Sequence, residues 1–354
     1  MNTASRRQSL LLFSVAILVI GFLLLNRQTD TDVLHEFGGG TMGTRYSVKL
    51  ADLPADTSLE QIAFDVSGIL QRVDRQQMST YAPESELSRL NAAAVGQDIA
   101  LSAEMTEVLA LALELNRITD GAFDVTVGPL VNRWGFGPED RREDRIPTQA
   151  EIDALLARVG AHHLSLDIDQ RSLRKTADVY VDLSGIAKGY AVDKVADYLD
   201  SIGVTSYFIE VGGELRIRGY KPGNQSWVPA IEKPVDTAPQ VHSIFYAKGE
   251  PIAVAGSGDY RNYFEADGVH YSHEIDPRTG RPITHNLAGV YVIDSTAARA
   301  DALATAFMVL GAERGFALAE ELGLAVYFVT RDDVNDTFVD RYTSRFEHYL
   351  ESGD

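Results

Sequence analysis

The sequence predicts an α+β fold. Two features argue for it: short runs with the period of strands gather in groups, and runs with helical spacing fall between them without a steady βαβ alternation. A third narrows the choice, because neither a Walker loop nor the GxGxxG fingerprint occurs, which disfavours a P-loop or dinucleotide-binding sheet. The 354 residues are 45% apolar and 23% charged, ordinary globular values with enough apolar material for a substantial core.

Residues 10–25, LLLFSVAILVIGFLLL, are apolar apart from Ser14 and Gly21, and they follow Arg6 and Arg7. A basic start leading into an apolar stretch marks a signal peptide or a signal anchor. Leu24, Leu25, Asn26, Arg27 and Gln28 stand where a cleavage site needs small residues, so residues 1–28 are expected to stay as a membrane anchor. The arginines favour the cytoplasmic side and put the rest of the chain outside the cytoplasm. Residues 29–37 are then a tether and 38–350 the folded domain.

Within that domain Thr44 to Leu50 alternates as a strand, and Leu59, Ile62, Val66, Leu70 and Val73 mark a helix. A second helix follows Ser102 and stops at Asp120-Gly121, residues 135–147 are a loop, and 149–160 a short helix. Val179 to Leu183 is expected as a strand feeding a helix capped by Ser184, with Ala187, Ala191, Val195 and Leu199 as its apolar stripe. Strands follow at 207–211, 214–218, 227–232, 241–247, 251–255 and 288–293, then a helix from about Thr296 to Leu310, ended by Gly311.

The net charge of −19 argues against nucleic acid as a partner, since polyanion binding depends on Lys and Arg neutralising phosphates. A phosphate-bearing ligand would need a bound cation or the N–H groups of a helix start. Cysteine is absent, which removes thiol catalysis, thiolate metal sites, disulfides and lipid attachment through cysteine.

Three constellations carry chemistry. Asp301 and Thr305 stand four apart on the helix expected near 296–310, so a carboxylate and a hydroxyl share a face, the hard oxygen donors that suit magnesium. The same pair is also common on solvated helices. VDLSGIAKGYAVDK, residues 181–194, sets Asp182 before a helix start with Lys188 beside it, suited to phosphates or simply a good turn. In YSHEIDPRTGRP, residues 271–282, a turn at Asp276–Gly280 follows His273, whose imidazole is able to take a proton from an attacking hydroxyl. A lone histidine is more often structural, and spacing alone leaves all three open.

Taken jointly with GTMGTRYSV (40–48), MSTY (78–81), GAFDVTVGPLVNRWGFGP (121–138), VGGELRIRG (211–219), GSGDYRNYF (256–264) and ADALATAFMVLG (300–311), these blocks resemble the ApbE family of flavin transferases from about residue 37 to 345. The resemblance implies an ApbE-like flavin transferase fold, with mixed sheets flanked by helices. It implies that Met42, Tyr81, Ala122, Phe123, Asp124, Asp182, Lys188 and Ile275 line an FAD pocket. It further implies that Asp301, Thr305 and the carbonyl of Gly185 hold Mg2+, and that His273 is the catalytic base. The reaction so implied moves FMN from FAD to a threonine of an acceptor protein and releases AMP. Family acceptors include flavin-carrying subunits of sodium-translocating NADH:quinone reductases, which suits an enzyme anchored in the bacterial inner membrane and facing the periplasm. One departure stands out: many relatives carry an acid or hydroxyl just before the metal-site threonine, where this chain has Ala304. Two alternatives remain at this stage, an FAD pyrophosphatase that uses water and an FAD-binding protein without turnover.

Overall fold

The computed structural model describes residues 33–137, 146–266, 268–332 and 334–352, so the expected anchor at 1–28 and most of the expected loop at 135–147 lie outside the described residues. The chain opens with a hairpin of β1 (His35–Thr41) and β2 (Thr44–Leu50). Strand β1 takes up the last three residues expected for the tether, because the glycine run 38–40 pairs with β2 rather than staying loose. Helix α1 (Leu59–Gln71) is capped by Ser58 and continues as a π-helical stretch, Arg72–Met78. Helix α2 (Glu86–Ala92), strand β3 (Asp98–Ala100) and helix α3 (Ala103–Ile118) follow, α3 with Ser102 as its expected cap. It stops where Asp120 and Gly121 turn to positive φ (52° and 73°).

Short helices α4 (Gly128–Arg133) and α5 (Gln149–Leu156) precede the small strands β4 (Leu164–Asp167) and β5 (Ser172–Lys175), which form a three-stranded sheet with β3. Helix α6 (Ala187–Ser201) leads to β6 (Tyr207–Val211) and β7 (Glu214–Gly219), then the hairpin β8 (Ala230–Glu232) and β9 (Val241–Ile244). After β10 (Gly249–Gly258) come two hairpins, β11 (Tyr263–Ala266) with β12 (Val269–Ser272), and β13 (Ile275–Asp276) with β14 (Arg281–Pro282). Strand β15 (Leu287–Asp294), helix α7 (Ala297–Glu321), strands β16 (Ala325–Asp332) and β17 (Thr337–Tyr342) and helix α8 (Ser344–Leu350) complete the chain.

Eight strands form one sheet in the order β1-β2-β6-β7-β10-β15-β16-β17. Every neighbouring pair in it is antiparallel, so α+β holds while the expected mixed sheet does not. Because side chains alternate along a strand, Ala253 and Ala255 of β10 face the helices α1, α3, α6 and α7, whereas Ile252 and Val254 join Trp227, Phe245 and Phe346 on the other face. Burial of both faces is what gives the central strands their nearly continuous apolar runs. Among the described residues one helix, α7, is long and apolar enough to cross a membrane, and it lies in this core.

Two expected elements differ. Residues 179–183 bury Val179, Val181 and Leu183 but form no ladder; the Asn91 side chain takes the place of a partner strand, its Oδ1 accepting from Val181 N (2.7 Å) and its Nδ2 donating to Val181 O (2.8 Å). Ser184 does not cap α6, whose capping position is Ile186. Helix α7 runs past Gly311, which interrupts it at φ 77°, ψ 172° instead of ending it.

Candidate active site

Helix α7 carries the first part of the site, and it is fixed at its start by α6. Asp193 caps it from outside, Oδ1 accepting from Ala297 N and Oδ2 from Ala298 N, both at 2.8 Å. Gly189 lets the two helices close: a Cβ there would come within 2.2 Å of Ala297 O. One turn further along α7, Asp301 Oδ2 accepts from Gly189 N at 3.1 Å, and Asp301 is only 3% exposed. Thr305, four residues on, meets the turn at Gly185, where a Cβ would lie 3.2 Å from Thr305 Oγ1. Ser257 Oγ lies 3.5 Å from the same hydroxyl. The oxygens expected to hold a metal therefore come from neighbouring segments of the fold.

Charge reinforces this arrangement. Lys188 is ion-paired with Glu214, which is 1% exposed and whose other oxygen, Oε2, is buried without a hydrogen-bond partner. Burial pushes both Asp301 and Glu214 above the usual carboxylate range; Lys188 opposes the shift, and for Glu214 the charge of Asp301 adds to it. For Lys188 burial works against the ammonium, but Asp301 and Glu214 outweigh it and hold the group charged. Two buried carboxylates thus share one ammonium, and a small cation bound beside them would favour the charged form of both. Among the described residues no three His, Cys, Asp or Glu side chains converge on a metal position. A cation here would rest on Asp301, a hydroxyl, backbone oxygen, water and ligand, the sparse protein share typical of Mg2+. Ala304 is fully buried in the apolar core and supplies packing, not an oxygen ligand.

These groups open onto a cavity of about 900 Å³. Ala122, Phe123, Asp124, Asp182, Gly185, Lys188, His273, Ile275, Asp301 and Thr305 all line it. Met42 and Tyr81 are not among its walls: Met42 N donates to Asp74 Oδ2 at 3.1 Å in the β1–β2 turn, and Tyr81 is 70% exposed. Asp124 shapes the wall instead of offering a free oxygen. Its carboxylate accepts from Thr126 N and Oγ1, Asn116 Nδ2 and Ala161 N, and so locks the segment after α3 in place. Asp182 Oδ1 accepts from Ser184 N at 2.8 Å, forming the tight turn before α6.

His273 lies between β12 and β13, its N–H donating to Asn262 O at 3.1 Å. The expected turn follows it, with Gly280 N donating to Asp276 O (2.8 Å) and Arg278 clamping Asp276 through two 2.8 Å bonds. Trp134 Nε1 donates to Gly280 O at 2.9 Å and ties the turn to α4. Spacing did not single out Glu214, Ser257, Glu232, Arg261 or Glu274, although each sits inside or near a quoted block. The signal for Glu214 was an acid at the head of the apolar-patterned strand β7, legible only once both sheet faces are known to be covered; Glu274, between β12 and β13, carried none.

The arrangement, an anionic cation site beside a lysine, a histidine across the cavity and room for a dinucleotide, suits chemistry at a phosphate. The ApbE family model matches residues 42–328. An FAD:protein FMN transferase of Vibrio cholerae is 43% identical over 330 residues, covering 93% of this chain and 96% of that protein. Another, of Haemophilus influenzae, is 41% identical, covering 92% and 94%. Among solved structures, the flavinyl transferase ApbE of Pseudomonas stutzeri in its apo form superposes with a TM-score of 0.82 at 42% identity, covering 91% of this chain and 98% of that one. The flavin transferase ApbE of Vibrio cholerae gives 0.81 at 42%, covering 90% and 99%. With the family model spanning most of the chain and relatives above 40% identity covered almost end to end, this chain belongs to the ApbE family.

Proposed function

We propose that this protein is an FAD:protein FMN transferase, which moves the FMN half of FAD to a threonine hydroxyl of an acceptor protein in a magnesium-dependent reaction. The observation that carries the reading is the meeting of Gly185, Lys188, Asp301, Thr305 and His273 around one cavity in a chain whose relatives bear that name. Mg2+ held by Asp301, Thr305 and the Gly185 carbonyl would neutralise the diphosphate and polarise its phosphorus. Lys188 adds a cation fixed by Glu214.

In this reading the threonine oxygen attacks the phosphorus next to riboflavin and its proton passes to His273. The bond from that phosphorus to the bridging oxygen breaks, and its electron pair leaves with AMP. The products are a threonine–FMN phosphoester, AMP and a protonated His273 that returns its proton to solvent. The acceptor is a flavin-carrying subunit of a membrane electron-transfer complex of the sodium-translocating NADH:quinone reductase type. The chain is held at the inner membrane by residues 1–28, with its folded part on the periplasmic side.

The test is incubation of the protein with FAD, Mg2+ and an acceptor carrying the threonine. Flavin fluorescence that stays with the denatured acceptor, matched by AMP, is the expected result. AMP with an unlabelled acceptor would mean hydrolysis, and unchanged bound FAD would mean a binding protein. His273→Ala is expected to lose labelling while retaining FAD, and labelling at the wild-type rate would refute its role as base.

A further inference from the structure

The His273 ring has few fixed neighbours. It meets Phe136 edge-on with centroids 6.3 Å apart, its Nδ1 is buried without a hydrogen-bond partner, and its side chain is 31% exposed. Among the described residues, the charged atom nearest its Nε2 is Glu274 Oε1, at 3.6 Å. Glu274 is held from both sides of its backbone: its N–H donates to Ser272 Oγ at 3.1 Å, and its C=O accepts from Ile283 N at 3.0 Å. It is 7% exposed and lines the cavity.

The charges facing Glu274 are His273, Asp259, Asp301 and Lys188. Asp259 is committed to Arg331 by two bonds of 2.8 and 2.6 Å, and Lys188 to Glu214. Near His273, Arg261 is paired with Glu232 and Arg278 with Asp276. Among the described residues, His273 is therefore the counter-charge left for Glu274. Burial pushes the Glu274 carboxyl up, and His273 is the first influence against that shift. A carboxylate so placed costs less when the imidazole beside it is charged.

Building on the transfer reading above, we propose that Glu274 is a positioning residue: its carboxylate keeps Nε2 of His273 turned to the cavity and stabilises the imidazolium formed when that nitrogen takes the proton of the attacking hydroxyl. The proton moves from the acceptor oxygen to His273 and goes no further in this step. Glu274 contributes charge and orientation only.

The full-length enzyme with Glu274→Gln tests this. FAD affinity, followed by flavin fluorescence, is expected to stay at the wild-type level. Single-turnover transfer at saturating FAD is expected to fall about ten- to hundredfold, with the acid limb of its pH profile moved down. Glu274→Asp, which keeps the charge, is expected to recover part of the rate. A wild-type rate and pH profile in Glu274→Gln would overturn the proposal, as would a loss of FAD binding in step with the rate. The His273 Cε1–H resonance gives a measure that needs no acceptor. A titration midpoint lowered in Glu274→Gln supports the pairing and an unchanged one overturns it, even if the wild-type enzyme transfers no flavin and the transferase reading fails.

Discussion

Gly189→Ala tests whether the contact between α6 and α7 sets the site. The added Cβ would lie 2.2 Å from Ala297 O, 2.5 Å from Ala297 C and 2.7 Å from Ala298 N, all backbone atoms that no rotamer change can move. Ordinary contact begins near 3.4 Å, so the helices must part by about 1.2 Å. That movement strains the bonds from Ala297 and Ala298 to Asp193 and the bond from Gly189 N to Asp301 Oδ2. Overpacking of this kind costs about 1–3 kcal/mol, and each kcal/mol lowers Tm by about 2–4 °C in domains somewhat smaller than this one. Thermal unfolding with and without Mg2+ reads both effects: a lower Tm for the variant, and a weaker rise on adding Mg2+ because Asp301 has shifted against Gly185. A Gly189→Ala protein with wild-type Tm and wild-type response to Mg2+ would refute the idea that this contact positions the cation site.

Three further outcomes are expected. Asp301→Asn removes a buried charge that shares one lysine with Glu214, so its Tm without divalent ions stays level or rises while the gain on adding Mg2+ disappears; scanning fluorimetry decides, and an undiminished Mg2+ response would contradict the assignment. Burial pushes the Asp193 carboxyl up to about 6, against the pull of the Ala297 and Ala298 N–H groups and Arg216. A raised carboxyl contributes stability below its unfolded value of about 4 that is lost as pH climbs through 6, so the stability of wild type relative to Asp193→Asn should fall by about 2–3 kcal/mol over that window in urea unfolding, and a difference that grows with pH would exclude it. Gly311→Ala forces a side chain into φ 77° and within 2.9 Å of the His285 ring, and urea unfolding is expected to show a loss of about 1–3 kcal/mol.

The elements read most accurately from sequence were those whose signals are local. The alternation in β2, the Ser102 cap of α3, the Asp120-Gly121 stop and the Asp276–Gly280 turn depend on a few adjacent residues. The errors came where a distant segment overrode the local signal. Residues 179–183 have the composition of a strand but are held by Asn91. Gly311 reads as a helix end, yet packing on the sheet carries α7 through it to Glu321. The glycine run in β1 has no pattern of its own and becomes a strand because β2 offers a ladder.

Sequence by itself determined the classes of chemistry open to this protein. Zero cysteines, a charge of −19 and eight blocks in family order leave hard oxygen donors and backbone N–H groups as the means of holding a phosphate ligand. It also named ten of the residues that line the cavity, Lys188, His273 and Asp301 among them. What only the tertiary structure decided is which of them act together. Thr305 and Gly185 are far apart in the chain and meet because Gly189 admits the Ala297 carbonyl and Asp193 caps the next helix. Lys188 finds Glu214 on a strand beyond its own helix, and burial fixes the charge that the group shares. Such contacts are set by packing between elements, a property of three-dimensional distance that spacing along the chain does not encode.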